Sequence, residues 1–410
     1  MRTSTESHPK NHTYSFVVIE LAISLVIDVG VSFRGASKLF VMLNLYLELN
    51  IGTPTHTTIL NWTKKQGVSN FREKSYFKKQ KWILIADESI QFGNNKLLFI
   101  TAVPAHEFNK HYLIYSDLIP LVIKVSTSWK GKDIVKEIEK VIDSKQVLYA
   151  VSDNGNNLVN VFNILNIKHI EDINHKFSWI IQKILEEEDV FKSFSKELSN
   201  MRAKLSLSKQ ARIIPPNQRI MSRYMNLTPI FEWSIKMLEL LERDKLTIEE
   251  KEKLAFLPEY KKFILEMHEL INVLNQTQKI MKNSGFSKKN VKSVLKMLNP
   301  LNGSISKKIS EMVANYLHET KQKMGKQKTI LCSSDIVESC FGKYKELVET
   351  NKTVGINDLS LCLSTMMTKD SQMLKTNFER IKTEDVKAWK KENIGQTLFA
   401  EKKELFKKIG

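Results

Sequence analysis

The sequence has few of the residues that mark secreted, zinc-binding or membrane-spanning proteins. Only three of its 410 residues are cysteine, and none of them has C-x-x-C spacing, which predicts reduced thiols and argues against a zinc site. The longest apolar run, residues 16–31, is too short to cross a bilayer and contains Glu20 and Asp28. Residues 1–15 lack the basic start and cleavage site of a signal peptide. We therefore expect a cytoplasmic protein with no membrane contact.

Acidic residues are also scarce. The chain has 45 Asp and Glu against 63 Lys and Arg, a net charge of +18, which favours a polyanionic partner, most commonly nucleic acid. Two stretches, 201–230 and 279–308, contain no acid at all. Such stretches are either solvated faces or phosphate-binding surfaces. On the second interpretation, the arginines of the first stretch are predicted to contact DNA: Arg202, Arg212, Arg219 and Arg223.

Residues 32–65 have the pattern of two helices joined by a turn. Apolar side chains recur at helical spacing after Ser32, the predicted cap of the first helix. In the second helix, Thr53 is the predicted cap and Pro54 the first helical residue. This predicts a helix-turn-helix in an all-α domain over residues 1–76, and the alternative is a plain helical bundle. The side chains predicted to face DNA are Thr55, His56, Thr58, Asn61, Lys64 and Lys65.

From Lys81 onward the periodicity changes to that of β-strands. The predicted order is three strands, helix, strand, helix, strand. The strands cover residues 81–89, 95–105, 110–126, 146–157 and 167–175, and the helices cover 129–143 and 158–165. This order matches the RNase H-like fold, an α/β fold in which helices flank a mixed five-stranded sheet.

Residues 176–330 show helical periodicity and no convincing strand. We therefore expect a large all-α insertion within the core. The predicted divisions are the N-terminal helical domain, 1–76, the first part of the catalytic core, 77–185, the insertion, 186–330, and the second part of the core with its C-terminal helices, 331–410.

Two acids follow strands that an RNase H-like sheet places side by side. Asp87 lies near the end of the first strand and Asp153 at the end of the fourth. Carboxylates so close repel each other unless a cation neutralises them, and Mg²⁺ prefers carboxylate oxygens. Glu338, at the start of a predicted helix, either forms a capping box with Asp335 or is a third metal ligand. The two roles are compatible.

These acids and the residues around them resemble the DDE transposases of the RNase H-like superfamily, particularly bacterial insertion-sequence enzymes with a helical insertion. The matching segments are LIADES around Asp87, AVSDNG around Asp153 and DIVESCFGKYK around Glu338. Asp172 and His175 are similar to the Cys/Asp-x-x-His motif of several such families. Some families surround the Glu with Tyr-x2-Arg-x3-Glu-x6-Lys. Lys345 fits that pattern, but Leu331 and Ser334 replace its Tyr and Arg.

The resemblance implies a DNA transposase that binds the ends of its element and catalyses cleavage and strand transfer. It implies two Mg²⁺ ions, replaceable by Mn²⁺. One bridges Asp87 and Asp153 and activates water or the freed 3′-hydroxyl, and the other, held by Asp87 and Glu338, stabilises the leaving oxygen. His175 is then expected to position the scissile phosphate or a carboxylate, and the alternative is a purely structural histidine.

Further contacts and partners follow from the same resemblance. Lys343 and Lys345 are expected on the exposed side of the Glu338 helix, where they would contact phosphates. Trp233 is either a stacking partner for a displaced base or a core residue. The implied partners are double-stranded DNA, as element ends and as target, and a second copy of the chain. The implied setting is the nucleoid of a prokaryotic cell.

Two other functions stay open at this point. One is an RNase H-like DNA nuclease or resolvase that cuts without joining, which has no need of an end-binding helix-turn-helix. The other is a domesticated, sequence-specific DNA-binding protein with a silent core. The presence of all three acids argues against the second.

Overall fold

A computed structural model of the protein describes residues 8–10, 12–72, 80–92, 95–106, 108, 113–205, 210–217, 227–348, 356–368, 378–396 and 398–407. The predicted α/β class is confirmed, because helices flank a mixed five-stranded sheet. The chain divides into two compact units, Met1–His169 with Ser334–Gly410, and Ile170–Ser333. Within the described ranges, no helix has both the length and the apolar character needed to span a bilayer.

The helices and strands follow one another in this order along the chain. They are α1 (Phe16–Ile27), α2 (Phe33–Leu47), α3 (His56–Arg72), β1 (Trp82–Phe92), β2 (Asn95–Pro104), β3 (Ile119–Ser126), α4 (Gly131–Glu139), β4 (Val147–Ser152), α5 (Asn156–Ile164), β5 (His169–Glu171), α6 (Ile173–Leu185), α7 (Asp189–Leu205), α8 (Thr228–Glu242), α9 (Ile248–Leu254), α10 (Lys261–Ser284), β6 (Phe286–Ser287), α11 (Lys288–Leu298), α12 (Ser304–Lys323), β7 (Thr329–Ile330), α13 (Asp335–Val348), α14 (Leu361–Thr365), α15 (Thr383–Asn393) and α16 (Leu398–Lys407).

The large sheet has the strand order β3-β2-β1-β4-β5. Strand β1 pairs antiparallel with β2 and parallel with β4, so the predicted adjacency of the first and fourth strands is confirmed. One face of the sheet, with Trp82, Leu84 and Ala86, packs in a buried cluster with Ile134 of α4 and Phe162 of α5. Side chains alternate between the two faces of a strand, so Ile83, Ile85 and Asp87 lie on the opposite face.

The second of the two predicted N-terminal helices, α3, begins later than predicted. Ser32 is the cap of α2 as expected, because its Oγ accepts a hydrogen bond from the Gly35 amide at 3.0 Å. Helix α3 begins at His56, and the Thr55 hydroxyl accepts from the Thr58 amide at 3.2 Å. The predicted start at Pro54 is therefore wrong by two residues, because Thr55 caps the helix in place of Thr53.

Three predicted strands are shorter than expected. The fourth, predicted over 146–157, ends at Ser152, because the chain turns at Asp153 and Gly155 before α5 begins. The third begins only at Ile119, because Tyr115–Asp117 forms a 3₁₀ turn in which the Asp117 carboxylate accepts from the Ile114 amide at 2.8 Å. The fifth ends at Glu171, because the carboxylate of Asp172 caps α6. The prediction of no strand in 176–330 is also wrong, since β6 and β7 pair antiparallel over two residues each.

The second unit is built around packed aromatic rings from α7, α8 and α10. The Phe194 ring stacks on Phe231 at a centroid distance of 5.9 Å, and Phe263 meets both rings edge-on at 5.7 Å. All three side chains are buried. Their helices therefore share one apolar core.

Candidate active site

Asp87 and Asp153 lie just beyond the last paired residues of β1 and β4. Asp153 follows the end of β4, whereas Asp87 lies in the middle of β1, which continues to Phe92, so its predicted position near a strand end is wrong. Ile85 pairs with Val151, and each acid lies two residues further along its chain, so the two acids come level with each other. Asp87 is 9% exposed, whereas Asp153 is half-buried. The β1–β2 register shifts between Asp87 and Ile90, so the regular pairing of the two strands is interrupted directly after Asp87.

Glu338 lies in the first turn of α13. The Ser334 carbonyl accepts from the amides of Val337 at 2.8 Å and Glu338 at 3.3 Å, so the helix already includes Asp335. The predicted capping box, with Asp335 as its cap, is therefore wrong by one residue. The metal-ligand interpretation of Glu338 does not depend on that box.

Helix α13 packs on the same face of the sheet as Asp87. The Phe341 ring lies 5.5 Å from the ring of Phe99, and Phe99 is the direct cross-strand partner of Asp87. Glu338 is half-buried and lies one turn before Phe341, on the same side of the helix. The packing of one phenylalanine on another therefore directs Glu338 towards the acid-bearing face.

Glu88 is an acidic neighbour that the sequence reasoning missed. Burial raises the pKa of the Glu88 carboxyl, and the nearby carboxylate of Asp153 adds to the increase. Its Oε2 accepts only a long hydrogen bond, 3.5 Å, from the amide of Asn157. Its Oε1 is buried and has no hydrogen-bond partner among the described residues. The available signal was the second of two consecutive acids, Asp87 and Glu88, in the first predicted strand.

The Asp172-x-x-His175 motif lies at the start of α6, not at the end of a strand as predicted for His175. Asp172 is fully buried, and its Oδ1 accepts from the amides of Asn174 at 2.8 Å and His175 at 2.9 Å. The spacing of the motif is therefore first of all that of a helix cap followed by the first turn.

The two sets of candidate ligands differ in their chemistry. Asp87, Asp153 and Glu338 belong to the first compact unit and offer oxygen ligands only. Asp172 and His175 belong to the second unit, and their motif adds an imidazole nitrogen.

The residues predicted to face DNA from α3 divide into two sets. Thr55, His56 and Asn61 are exposed, and Thr58 is half-buried. The outward orientation predicted for Lys64 is wrong, because its ammonium pairs with the Asp358 carboxylate at 3.0 Å and its side chain is only 14% exposed.

Lys65 is also partly covered. Its ammonium lies 5.9 Å from the centre of the Phe378 ring, and burial lowers its pKa. Helix α3 packs against α14, α15 and β3. The amino-terminal turn of α3 is therefore exposed, while most of the rest of the helix belongs to the core.

The arginines of the acid-free stretch already have partners where they are described. Arg212 donates two hydrogen bonds to Glu250, at 2.6 and 2.7 Å, and this holds the pKa of that carboxyl at about 2. Arg202 donates to the Pro215 carbonyl at 2.5 Å. Arg219 and Arg223 lie outside the described residues. The fold therefore brings an acidic partner to Arg212, although residues 201–230 contain no acid.

The remaining predicted DNA contacts have distinct surroundings. Trp233 is half-buried in α8, and its indole Nε1 is buried without a hydrogen-bond partner among the described residues. The Lys343 ammonium lies 4.7 Å from the centre of the Tyr115 ring, while Lys345 is exposed. Lys343 also lines a cavity of about 630 Å³ together with Arg34 and His56.

Comparison with known proteins adds no identification. No protein-family model matches the chain, and no curated protein matches it either.

Proposed function

We propose that the protein is a DDE-type DNA transposase with an RNase H-like core, which cuts and joins phosphodiester bonds with the help of a divalent metal. The observation that carries the proposal is the arrangement of three acids. Asp87 and Asp153 each lie two residues beyond the last pair of the neighbouring parallel strands β1 and β4, and α13 packs on the same face of the sheet as Asp87. The strand order supports the proposal, because it brings the first and fourth strands together as the resemblance implies.

The donor sets fit a divalent metal. Asp87, Asp153 and Glu338 offer carboxylate oxygens, which both Mg²⁺ and Mn²⁺ accept. The imidazole of His175 suits Mn²⁺ better than Mg²⁺. When bound, such ions would supply activation of a water or 3′-hydroxyl and neutralisation of the leaving oxygen.

The chain itself contributes positioning. The Asp172 carboxylate holds the first turn of α6 through two backbone amides, so a buried cap fixes the backbone position of His175. Glu88 adds a fourth negative group beside Asp153, which makes the cluster more costly to keep without a cation. The net charge of +18 favours DNA as the substrate.

One observation favours a nuclease that cuts without joining. The proposed recognition helix α3 is committed to packing against α14, α15 and β3, and Lys64 is held by Asp358. This leaves few α3 side chains to identify the end of a mobile element. A nuclease does not need them.

The test is cleavage of a DNA fragment that carries the flanking sequences of the gene, with Mg²⁺ or Mn²⁺. We expect nicking at defined ends followed by joining of the 3′ end to a second DNA. Glu338→Gln and Asp153→Asn should each reduce the rate at least about 100-fold, because each removes several kcal/mol of charge stabilisation. Glu239→Gln, which changes an exposed acid on α8, is the matched control.

Other outcomes point elsewhere. Metal-dependent nicking without joining, at sites unrelated to the element ends, would identify the nuclease. Binding to those ends without cleavage under either metal would identify a silent DNA-binding protein. Cleavage unchanged in Glu338→Gln would contradict any role for the acid-bearing face.

A further inference from the structure

Trp179 is a large aromatic side chain that lies unusually exposed on the surface. It lies on α6 and is 46% exposed, and it is the sole tryptophan among the large hydrophobic side chains that are exposed in the described parts of the chain. Trp62, Trp82 and Trp129 are all buried. An indole of this size normally contributes stability by burial, so leaving it in solvent forgoes that gain.

Two lysines flank the indole ring. The Lys176 ammonium lies 4.5 Å from the ring centre and that of Lys183 lies 5.3 Å from it. Lys176 precedes Trp179 by nearly one helical turn and Lys183 follows it by about one, so the three side chains form a row along α6. Lys176 also pairs with Glu171 at 3.1 Å, while Lys183 is exposed.

We propose that Lys176, Trp179 and Lys183 form a stacking platform for a base of single-stranded nucleic acid. An exposed indole face is a sequence-tolerant partner for any base. The exposed Lys183 ammonium is on a flexible stem and can leave the ring to contact a phosphate beside the stacked base, whereas Lys176 stays paired with Glu171 against the ring. A single strand of nucleic acid needs an aromatic ring to stack on a base and a cation to contact its phosphates, and this face of α6 offers both.

The surroundings of the indole favour nucleic acid over a membrane or an apolar protein surface. The neighbouring exposed positions of α6 are polar, and Gln182 donates a hydrogen bond to Glu186 at 2.8 Å. A bilayer or an apolar partner would need a contiguous apolar patch, and α6 exposes a single ring. The charge of +18 on the whole chain points the same way.

The platform lies on the same helix as the Asp172-x-x-His175 motif. Trp179 lies one turn beyond His175 on the same side of α6, so a base stacked there would hold its strand beside the motif. The platform does not rest on the proposed cleavage reaction. Binding is measured with chelator present, so that a failure of catalysis leaves the result unaffected.

The experiment measures binding of the full-length protein to two fluorescently labelled single strands of equal length, oligo-dT and an abasic strand. Both carry the same phosphates, and only the first can stack. Trp179→Ala should weaken binding of oligo-dT by about 5- to 150-fold and leave binding of the abasic strand unchanged. Trp179→Phe should restore part of the loss. Lys183→Gln should remove one phosphate contact. For each of the two strands, the slope of log binding constant against log salt concentration should then become less negative by about 0.7.

Ile248→Ala is the control, because Ile248 is 77% exposed on α9 of the same compact unit. It should bind both strands as the wild type does. Equal binding of oligo-dT by Trp179→Ala and wild type would overturn the proposal. An equal loss on both strands would also overturn it, since the effect would then be electrostatic or structural.

Discussion

Glu250 combines two roles in one carboxylate. It caps α9, since its Oε2 accepts from the Thr247 amide at 2.9 Å while the Thr247 hydroxyl accepts from the Glu250 amide at 3.3 Å. It also receives the two hydrogen bonds from Arg212, which are the main cause of its low pKa of about 2. Arg212, which was predicted to contact DNA, therefore already has an anionic partner.

This ion pair predicts a decline of stability in acid. The folded pKa of Glu250, about 2, lies below its unfolded value of about 4.3. Its contribution to the free energy of unfolding is therefore fully present above about pH 4.3 and lost as the pH falls towards 2. Glu250→Gln keeps the capping hydrogen bonds but not the charge.

Urea unfolding at several pH values measures the effect. We expect the difference in free energy of unfolding between wild type and Glu250→Gln to be constant near neutral pH and to shrink below about pH 4. Glu239→Gln, at an exposed position on α8, should show no comparable change. A difference that is independent of pH down to 2 would contradict the charge pairing.

Helices α3 and α14 approach each other closely at a glycine. A Cβ atom on Gly67 would lie 2.5 Å from the Leu361 carbonyl oxygen. The Ser364 hydroxyl donates to the Gly67 carbonyl at 2.8 Å, and the Thr365 hydroxyl to the Thr63 carbonyl at 2.8 Å. Any larger residue at Gly67 must separate the helices and strain these hydrogen bonds.

We therefore expect Gly67→Ala to lower the free energy of unfolding by about 1–3 kcal/mol, the usual cost of overpacking. Gly342→Ala is the matched control. Gly342 lies within α13, and a Cβ there would meet nothing within 4 Å. That change should stabilise by about 0.5–1 kcal/mol, because it reduces the freedom of the unfolded chain. Denaturant unfolding of both variants checks the pair, and destabilisation by both would refute the close approach.

The first compact unit joins residues from both ends of the chain. Val68 of α3 forms one buried cluster with Leu361, Ile381 and Val386. Asn70 donates to the Ser364 carbonyl at 2.6 Å, across 294 positions of sequence. The amino-terminal helices are therefore expected to share the stability of the C-terminal helices.

Hydrogen exchange followed by mass spectrometry tests this cooperation. Amides in the buried half of α3 should exchange with the same opening free energy as those of α14 and of β1. The separate peptide 1–76 should not fold, because it lacks the partners of Val68 and Asn70. A stable, independently folded 1–76 fragment would support a detachable DNA-binding domain instead.

Local patterns in the sequence were sufficient for the type and order of most core elements. Apolar alternation predicted β1, β2 and β4, and helical spacing predicted α2, α4 and α5, since both periods follow from backbone geometry. The ends of elements were less secure. Thr55 and Ser334 stand where Thr53 and Asp335 were expected, because neighbouring polar residues compete for one cap at similar energies.

The sequence by itself determined that Asp87 and Asp153 each follow a buried apolar run, because an acid is accommodated where the apolar pattern stops. Only the tertiary structure decided which groups have partners. Lys64 is held by an acid 294 positions away, Arg212 by one 38 positions away, and Glu88 is left with an oxygen that has no hydrogen-bond partner among the described residues. Burial and long-range packing assign these partners, and the local periodicity of a chain contains no information about which distant residues will meet.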